Sequence, residues 1–217
     1  MTKPPALKLP RVYALLDHGL LAARGLPLSA VADALLEGGI RLLQMRVKQH
    51  LSRDLLAEAQ QVARLCRQAG AIFVFNDRAD AAMLLDAGLH VGQDDLPPAE
   101  ARRLIGPSRL LGFSTHNEAQ LRAAAAEPVD YVALGPIFTT RTKENPDPEI
   151  GIDGLARLRP LAHVRLVAIG GITLAKAPDV WRAGADSIAV AAGLYPDPIA
   201  PASLRERVEE WMRIAPE

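Results

Sequence analysis

The chain has 217 residues, of which 49% are hydrophobic and 23% are charged, and its 25 basic and 25 acidic side chains cancel. This composition suits one globular domain with a full hydrophobic core. The neutral charge excludes a general attraction for nucleic acid or an anionic membrane, so any anion site must be built from a few placed side chains. The sequence leaves a homo-oligomer open.

The single cysteine and the amino-terminal residues indicate the cellular compartment of the protein. Cys66 cannot form an internal disulfide and occupies an apolar position of a helical stretch, which predicts core packing in a reducing compartment. Residues 1–10 contain lysines and prolines but no apolar signal-peptide run, and no later segment approaches the roughly 18 apolar residues of a membrane span. We therefore predict a cytoplasmic protein. It has one domain over residues 1–217, of which residues 1–10 form an amino-terminal extension.

Short apolar runs alternate with longer stretches of helical period along the chain. Continuous apolar runs of this length are typical of strands covered on both faces. Ser52 and Asn117 precede two helical stretches as N-caps, and Gly70 and Gly184 follow two helix ends. The predicted strands are residues 12–16, 41–45, 71–75, 89–91, 109–113, 131–134, 165–169 and 187–190. The predicted helices are residues 28–37, 53–68, 98–104, 118–126, 175–183 and 203–214.

Eight strand–helix units in 217 residues leave about 27 residues per unit, close to the lower limit of about 200 residues for an eight-stranded parallel barrel. We therefore predict an α/β fold, a single-domain (βα)8 TIM barrel. A doubly wound open sheet is the alternative, but its Gly-x-Gly-x-x-Gly fingerprint after the first strand is missing. In a barrel, chemistry should cluster where the strands end.

The second predicted strand ends in an alternating polar pattern. Gln44, Arg46 and Lys48 project to one side, toward the barrel mouth, while Met45 and Val47 point into packing. Two cations and an amide on one side predict an anion site. The alternative is a solvent-facing edge with apolar partners behind it.

Carboxylates follow the next two predicted strands. Asn76 and Asp77 end the third, Asp94 and Asp95 end the fourth, and adjacent parallel strands lie about 5 Å apart. Paired carboxylates beside phosphate-binding cations predict a Mg²⁺ site. Taken alone, Asp77 would be interpreted as a helix N-cap. We interpret His90 as a hydrogen-bonded structural side chain, because Mg²⁺ prefers oxygen donors.

The loops after the sixth, seventh and eighth strands are also suited to anions. Residues 135–143 include three threonines, an arginine and a lysine, and a solvated polar turn is the alternative. The long connection at residues 135–151 predicts an active-site lid. Gly170, Gly171 and a short helix after Ala191 predict the phosphate site that is common after strands seven and eight.

Six ordered motifs resemble those of the thiamine-phosphate synthase family, over about residues 13–193. They are residues 44–48, 76–78, 90–95, 112–116, 135–143 and 169–172. The resemblance implies a Mg²⁺-assisted transferase of thiamine biosynthesis with small-molecule substrates. It would join 4-amino-2-methyl-5-hydroxymethylpyrimidine diphosphate to thiazole phosphate by a dissociative reaction, releasing pyrophosphate and forming thiamine phosphate.

The resemblance also implies the role of each residue. The pyrimidine-diphosphate ligands would be Gln44, Arg46, Lys48, Asn76 and Lys143. The Mg²⁺ ligands would be Asp77 and Asp95, and Ser114 would lie beside the leaving group. The thiazole-phosphate site would comprise Thr140, Thr142, the backbone of Gly171, Ala191 and Ala192. The catalytic residues, which stabilise the leaving group, would be Arg46, Lys48, Ser114 and Lys143.

Several departures and two alternatives accompany this resemblance. Thr139 stands where the family has a proline, and the chain is one residue shorter than the family pattern between Asp77 and His90. Val47 stands where the family has an acid, and Ala192 stands where it commonly has a serine. One alternative is a thiazole tautomerase of a related branch, with His116 as its acid or base, although a tautomerase needs neither a Mg²⁺ pair nor a pyrophosphate clamp. The other is a non-catalytic barrel that binds a thiamine-pathway phosphate.

Overall fold

Eight parallel strands form a closed barrel in the order β1 to β8, and β1 pairs with β8. The computed structural model describes residues 8–139 and 147–217. The strands are β1 (Val12–Asp17), β2 (Leu42–Arg46), β3 (Ile72–Asn76), β4 (Gly88–Val91), β5 (Leu111–Thr115), β6 (Tyr131–Leu134), β7 (Arg165–Ile169) and β8 (Ser187–Val190). The predicted (βα)8 barrel is confirmed, and the open-sheet alternative is wrong.

The helices lie between the strands and after the last one. They are α1 (His18–Ala22), α2 (Leu28–Glu37), α3 (Arg53–Gln68), α4 (Ala79–Leu84), α5 (Pro98–Ile105), α6 (Glu118–Ala124), α7 (Gly151–Leu158), α8 (Ala177–Arg182) and α9 (Pro201–Ile214). The bounds of α2 and α3 are those predicted. The five-residue α1 and the glycine-containing α7 carry too little periodic pattern to be predicted. In the part of the chain that is described, no helix combines the length and the hydrophobicity required to span a bilayer.

Successive strand residues alternate between two apolar layers. Leu42 and Val74 belong to the cluster inside the barrel, whereas Leu43 and Met45 pack between the barrel and the helices. Both faces of the strands are therefore covered, which explains why their sequences are continuously apolar. Cys66 on α3 is fully buried in the outer layer, as predicted.

Local signals determine several helix ends. The Ser52 side chain accepts a hydrogen bond from Leu55 N at 3.2 Å, and the Asn117 side chain accepts one from Gln120 N at 3.0 Å. Gly70 adopts a φ of 63° just after α3, in the left-handed region that a glycine enters without strain. These predicted caps are confirmed.

Strand β5 differs from its prediction in a way that matters for the site. It comprises Leu111–Thr115 instead of residues 109–113. The Arg109 guanidinium donates to the Ile105 carbonyl at 2.8 Å and to the Asp86 carboxylate at 2.7 Å, so this residue lies outside the strand. The shift places Ser114 within the strand, near its carboxyl end.

Candidate active site

Strand β2 presents its polar residues to the barrel mouth. Gln44 is 4% exposed, Arg46 is half-buried and Lys48 is exposed. The intervening Met45 and Val47 are buried in the outer apolar layer. The predicted alternation is confirmed. The alternative of a solvent-facing edge is wrong, because this polar face of β2 belongs to the inside of the closed barrel and leads to its mouth.

Lys48 contacts the first of the two predicted metal ligands. Its Nζ donates to Asp77 Oδ2 at 2.5 Å, and Asp95 Oδ2 accepts a hydrogen bond from Gly92 N at 2.7 Å. Burial raises the pKa of Asp77, the neighbouring Asp95 carboxyl raises this pKa further, and Lys48 opposes the rise. A cation beside the Asp77 carboxylate would therefore be stabilising.

The backbone of Asp77 is adapted to this position. Its φ is 64°, in the left-handed region that few residues other than glycine adopt. The N-cap of α4 is Arg78, and no side chain caps that helix, so the N-cap interpretation of Asp77 is wrong. Asp77 N donates to the His90 carbonyl at 2.8 Å. This conformation directs the carboxylate to Lys48 and is an instance of backbone strain held at a polar site.

The donor chemistry of the pair suits Mg²⁺. Within residues 8–139 and 147–217 no group of three or more His, Cys, Asp and Glu side chains could hold a metal. A structural or catalytic zinc site needs three or four protein ligands. Asp77 and Asp95 supply two carboxylates, which is the number that Mg²⁺ takes when water and substrate phosphate oxygens complete its octahedron.

The side chains of β4 and β5 meet inside the barrel. His90 is 7% exposed, with Nδ1 2.9 Å from Tyr131 Oη and Nε2 2.9 Å from Ser114 Oγ. The interpretation of His90 as a hydrogen-bonded side chain is confirmed. Gln93 Nε2 donates to the Ser114 carbonyl at 2.5 Å, so both ends of the serine are held at the mouth.

The loops after β6 and β7 pack against each other. Ile137 N donates to the Ile169 carbonyl at 2.9 Å, and Phe138 N donates to the Gly170 carbonyl at 3.0 Å. A Cβ on Gly171 would lie 2.4 Å from the Thr139 carbonyl oxygen. The glycines thus permit a close approach between two backbones, whereas phosphate binding by Gly171 stays a prediction.

Three predicted site residues, Thr140, Thr142 and Lys143, lie outside the described residues, as do residues 140–146 of the predicted lid. Their roles stay predictions. After β8, the predicted short helix is a single 3₁₀ turn, Ala192–Leu194, which begins directly after Ala191.

His116 lies at the base of the loop after β6. Its Nδ1 is 2.7 Å from the Gly135 carbonyl and 3.5 Å from Asp147 Oδ2. Since a carbonyl can only accept, Nδ1 donates to Gly135. This ring therefore ties the end of β5 to the start of the loop after β6.

Sequence reasoning missed three residues that shape the site. Asp17 on β1 forms a 2.6 Å ion pair with Arg46. Tyr13 and Tyr131, on β1 and β6, place their hydroxyls 2.9 Å apart inside the barrel. The available signal is that each tyrosine interrupts an otherwise aliphatic strand with a buried polar tip, which requires a hydrogen-bond partner.

A closed parallel barrel with cations, amides and paired carboxylates at the carboxyl ends of its strands has the architecture of a barrel enzyme for phosphorylated substrates. Residues 12–194 match the family described as thiamine monophosphate synthase. The chain is 44% identical over 211 residues to a thiamine-phosphate synthase from Koribacter versatilis, covering 96% of this chain and 97% of that protein.

Two further similar proteins point to the same family. A thiamine-phosphate synthase from Chloroflexus aurantiacus is 46% identical over 181 residues, covering 83% of this chain and 82% of that protein. The solved structure of a thiamine phosphate pyrophosphorylase from Pyrococcus furiosus superposes with a TM-score of 0.81 at 28% identity, covering 94% of this chain and 95% of that chain. The chain belongs to the thiamine monophosphate synthase family.

Proposed function

We propose that the chain is an enzyme that condenses 4-amino-2-methyl-5-hydroxymethylpyrimidine diphosphate with thiazole phosphate, giving thiamine phosphate and pyrophosphate. The observation that carries this proposal is the pairing of Asp77 with Asp95 beside Lys48 at the barrel mouth of a chain in this family. Cations and paired carboxylates together suit a diphosphate that is bound with a divalent metal.

On the diphosphate side, Arg46, Lys48 and Lys143 bind the phosphate oxygens, and Gln44 and Asn76 bind the pyrimidine end. Asp77 and Asp95 would hold Mg²⁺, which would supply positive charge to the pyrophosphate. Gln44 and Asn76 are 4% and 6% exposed, so their amides are desolvated and presented in fixed orientations.

In the reaction, the bond between the benzylic-type carbon and the diphosphate oxygen breaks, and pyrophosphate takes the electron pair. The aminopyrimidine carries the resulting positive charge until the thiazole nitrogen captures it. No general base is required for these steps, so Arg46, Lys48, Lys143 and Ser114 act as donors to the leaving group. Thr140, Thr142, Gly171, Ala191 and Ala192 form the site for the thiazole phosphate.

The test is to incubate the purified chain with both substrates and Mg²⁺ and to measure pyrophosphate and thiamine phosphate. We expect both products in equal amounts, and neither when one substrate is omitted. An isomerised thiazole without pyrophosphate would instead favour a tautomerase that uses His116. Binding of both substrates without any turnover would favour a phosphate-binding protein.

A further inference from the structure

A chain of hydrogen bonds crosses the barrel interior from β2 to β5. Gln44 Nε2 donates to Tyr13 Oη at 2.8 Å, and the hydroxyls of Tyr13 and Tyr131 lie 2.9 Å apart. Tyr131 Oη lies 2.9 Å from His90 Nδ1, and His90 Nε2 lies 2.9 Å from Ser114 Oγ. We call these five residues the tyrosine relay. Both tyrosines are at most 1% exposed, so water does not compete for their hydroxyls.

The number of hydrogen-bonding protons on each group determines which group donates and which accepts along the tyrosine relay. Tyr13 accepts from Gln44, so its one hydroxyl proton goes to Tyr131, its other hydrogen-bond partner in the described part of the chain. Tyr131 then gives its proton to His90 Nδ1. Burial raises the pKa of both phenols, so each keeps its proton at any working pH. An imidazole that accepts at Nδ1 carries its proton on Nε2 and donates it to Ser114.

The backbone is also arranged for this contact. A Cβ on Gly112 would lie 2.0 Å from Tyr131 Cζ and 2.5 Å from His90 Nδ1, so any side chain there would displace one of the two rings. The rings of His90 and Tyr131 stack with centroids 5.5 Å apart and planes 23° apart. The glycine of the motif at residues 112–116 is therefore explained by the relay, not by contact with a substrate.

We propose that the tyrosine relay is a tautomer lock, which holds His90 in its neutral Nε2–H form so that Ser114 directs its own hydroxyl proton out to the leaving pyrophosphate. Tyr131 is a positioning residue that acts through His90 on Ser114. The identity of the acceptor rests on the proposed function, whereas the tautomer of His90 is a property of the protein alone. The opposite direction would make His90 a base for a serine nucleophile, which a dissociative reaction does not need.

The first test is ¹⁵N NMR of the full chain labelled at histidine, without substrates. The His90 signals are assigned among the five histidines by their loss in His90→Asn. We expect a neutral ring with the proton on Nε2. A ring protonated on Nδ1, or a mixture of the two tautomers, would overturn the proposal. This measurement is independent of turnover, so a failure of the proposed condensation reaction would not obscure it.

The second test compares two tyrosine variants. Tyr131→Phe removes the donor to His90 Nδ1, and we expect mixed tautomers together with a kcat about tenfold lower and both KM values within about twofold. Tyr195→Phe is the matched control, because it removes a partly buried phenol whose hydroxyl donates to the Leu15 carbonyl at 2.7 Å outside the relay. It should change neither the His90 signals nor kcat. Equal losses of kcat in both variants, or unchanged His90 signals in Tyr131→Phe, would show a merely structural role.

Discussion

Asp17 and Arg46 are register partners at the carboxyl ends of β1 and β2, and Arg46 Nη1 donates to Asp17 Oδ2 at 2.6 Å. The other oxygen of Asp17 accepts from Leu20 N at 3.0 Å and so caps α1. One carboxylate therefore fixes both the helix that leaves β1 and the guanidinium assigned to the diphosphate. Arg46 is presented to the mouth in one orientation.

Asp17→Asn retains an oxygen that can cap α1 but removes the charge that orients Arg46. We expect the KM for the pyrimidine diphosphate to rise about tenfold, because a freed arginine must lose rotamer entropy worth up to about 2 kcal/mol when it binds. Steady-state kinetics with each substrate varied in turn measure this effect. Glu37→Gln, which breaks the exposed ion pair with Arg205, is the control and should leave both KM values unchanged. A lower KM in Asp17→Asn would mean that Asp17 mainly repels the diphosphate.

The metal assignment predicts that Asp77→Asn and Asp95→Asn each reduce kcat/KM by at least about tenfold and require more Mg²⁺ for half-maximal rate. Asparagine tolerates the left-handed backbone of position 77, so the change isolates the charge. Asp94→Asn is the matched control, because Asp94 is an exposed neighbour in the same loop. Mg²⁺ titrations of all three variants decide the matter. An unchanged Mg²⁺ requirement in either of the first two variants contradicts the assignment.

Ala192 lies at the start of the 3₁₀ turn after β8, at the position where the resemblance to the family implies a serine. A hydrogen bond to a charged group is worth roughly 1.5 to 3 kcal/mol, so Ala192→Ser should lower the KM for thiazole phosphate by about tenfold or more. The KM for the pyrimidine diphosphate should hardly change. Ala99→Ser, at an exposed position of α5, controls for the added hydroxyl. If only the pyrimidine KM changes, the two substrates have been assigned to the wrong sides of the barrel.

Cys66 provides a prediction about pH and stability. Burial raises the pKa of its thiol to about 12, from an ordinary value of about 9. Between these values the unfolded chain loses the thiol proton and the folded chain keeps it, so the contribution of Cys66 to stability falls as pH rises. The loss should approach about 1.4 kcal/mol per pH unit.

The measurement is denaturant unfolding of the wild type and of Cys66→Ala between pH 9 and pH 11. The variant should be less stable at neutral pH because it leaves a small cavity, but its stability should fall less steeply with pH. Parallel stability curves for the two proteins would refute the burial argument. The thiol should also resist alkylation at pH 9 until the chain is unfolded.

Much of the fold and some of the site are encoded by local pattern. Ser52 and Asn117 cap helices because a short polar side chain can reach a backbone amide three residues away, which depends on nearby sequence alone. The side chains of Gln44, Arg46 and Lys48 lie on the same face because a strand has a two-residue period. Once the barrel is inferred, strand order alone brings β3 and β4 together, and so brings Asp77 to Asp95.

Contacts between distant strands could not be predicted in this way. Tyr13 and Tyr131 are 118 residues apart, and only the curvature of the closed barrel brings their hydroxyls together. Arg109 is compatible with a strand by pattern, but its guanidinium has better acceptors in the Ile105 carbonyl and Asp86. The left-handed backbone of Asp77 could not be predicted from the sequence either, because it is imposed by the contacts of the folded state.

The packing between the loops after β6 and β7 restricts how this protein can evolve. A Cβ on Gly135 would come within 2.2 Å of the Ile169 carbonyl oxygen, and one on Gly170 would come within 2.6 Å of Pro136. At these positions and at Gly171, a side chain would force one of the two loops to shift. Ala192, by contrast, is exposed after β8. A substitution at Ala192 is therefore sterically freer than one at the glycines of these two loops.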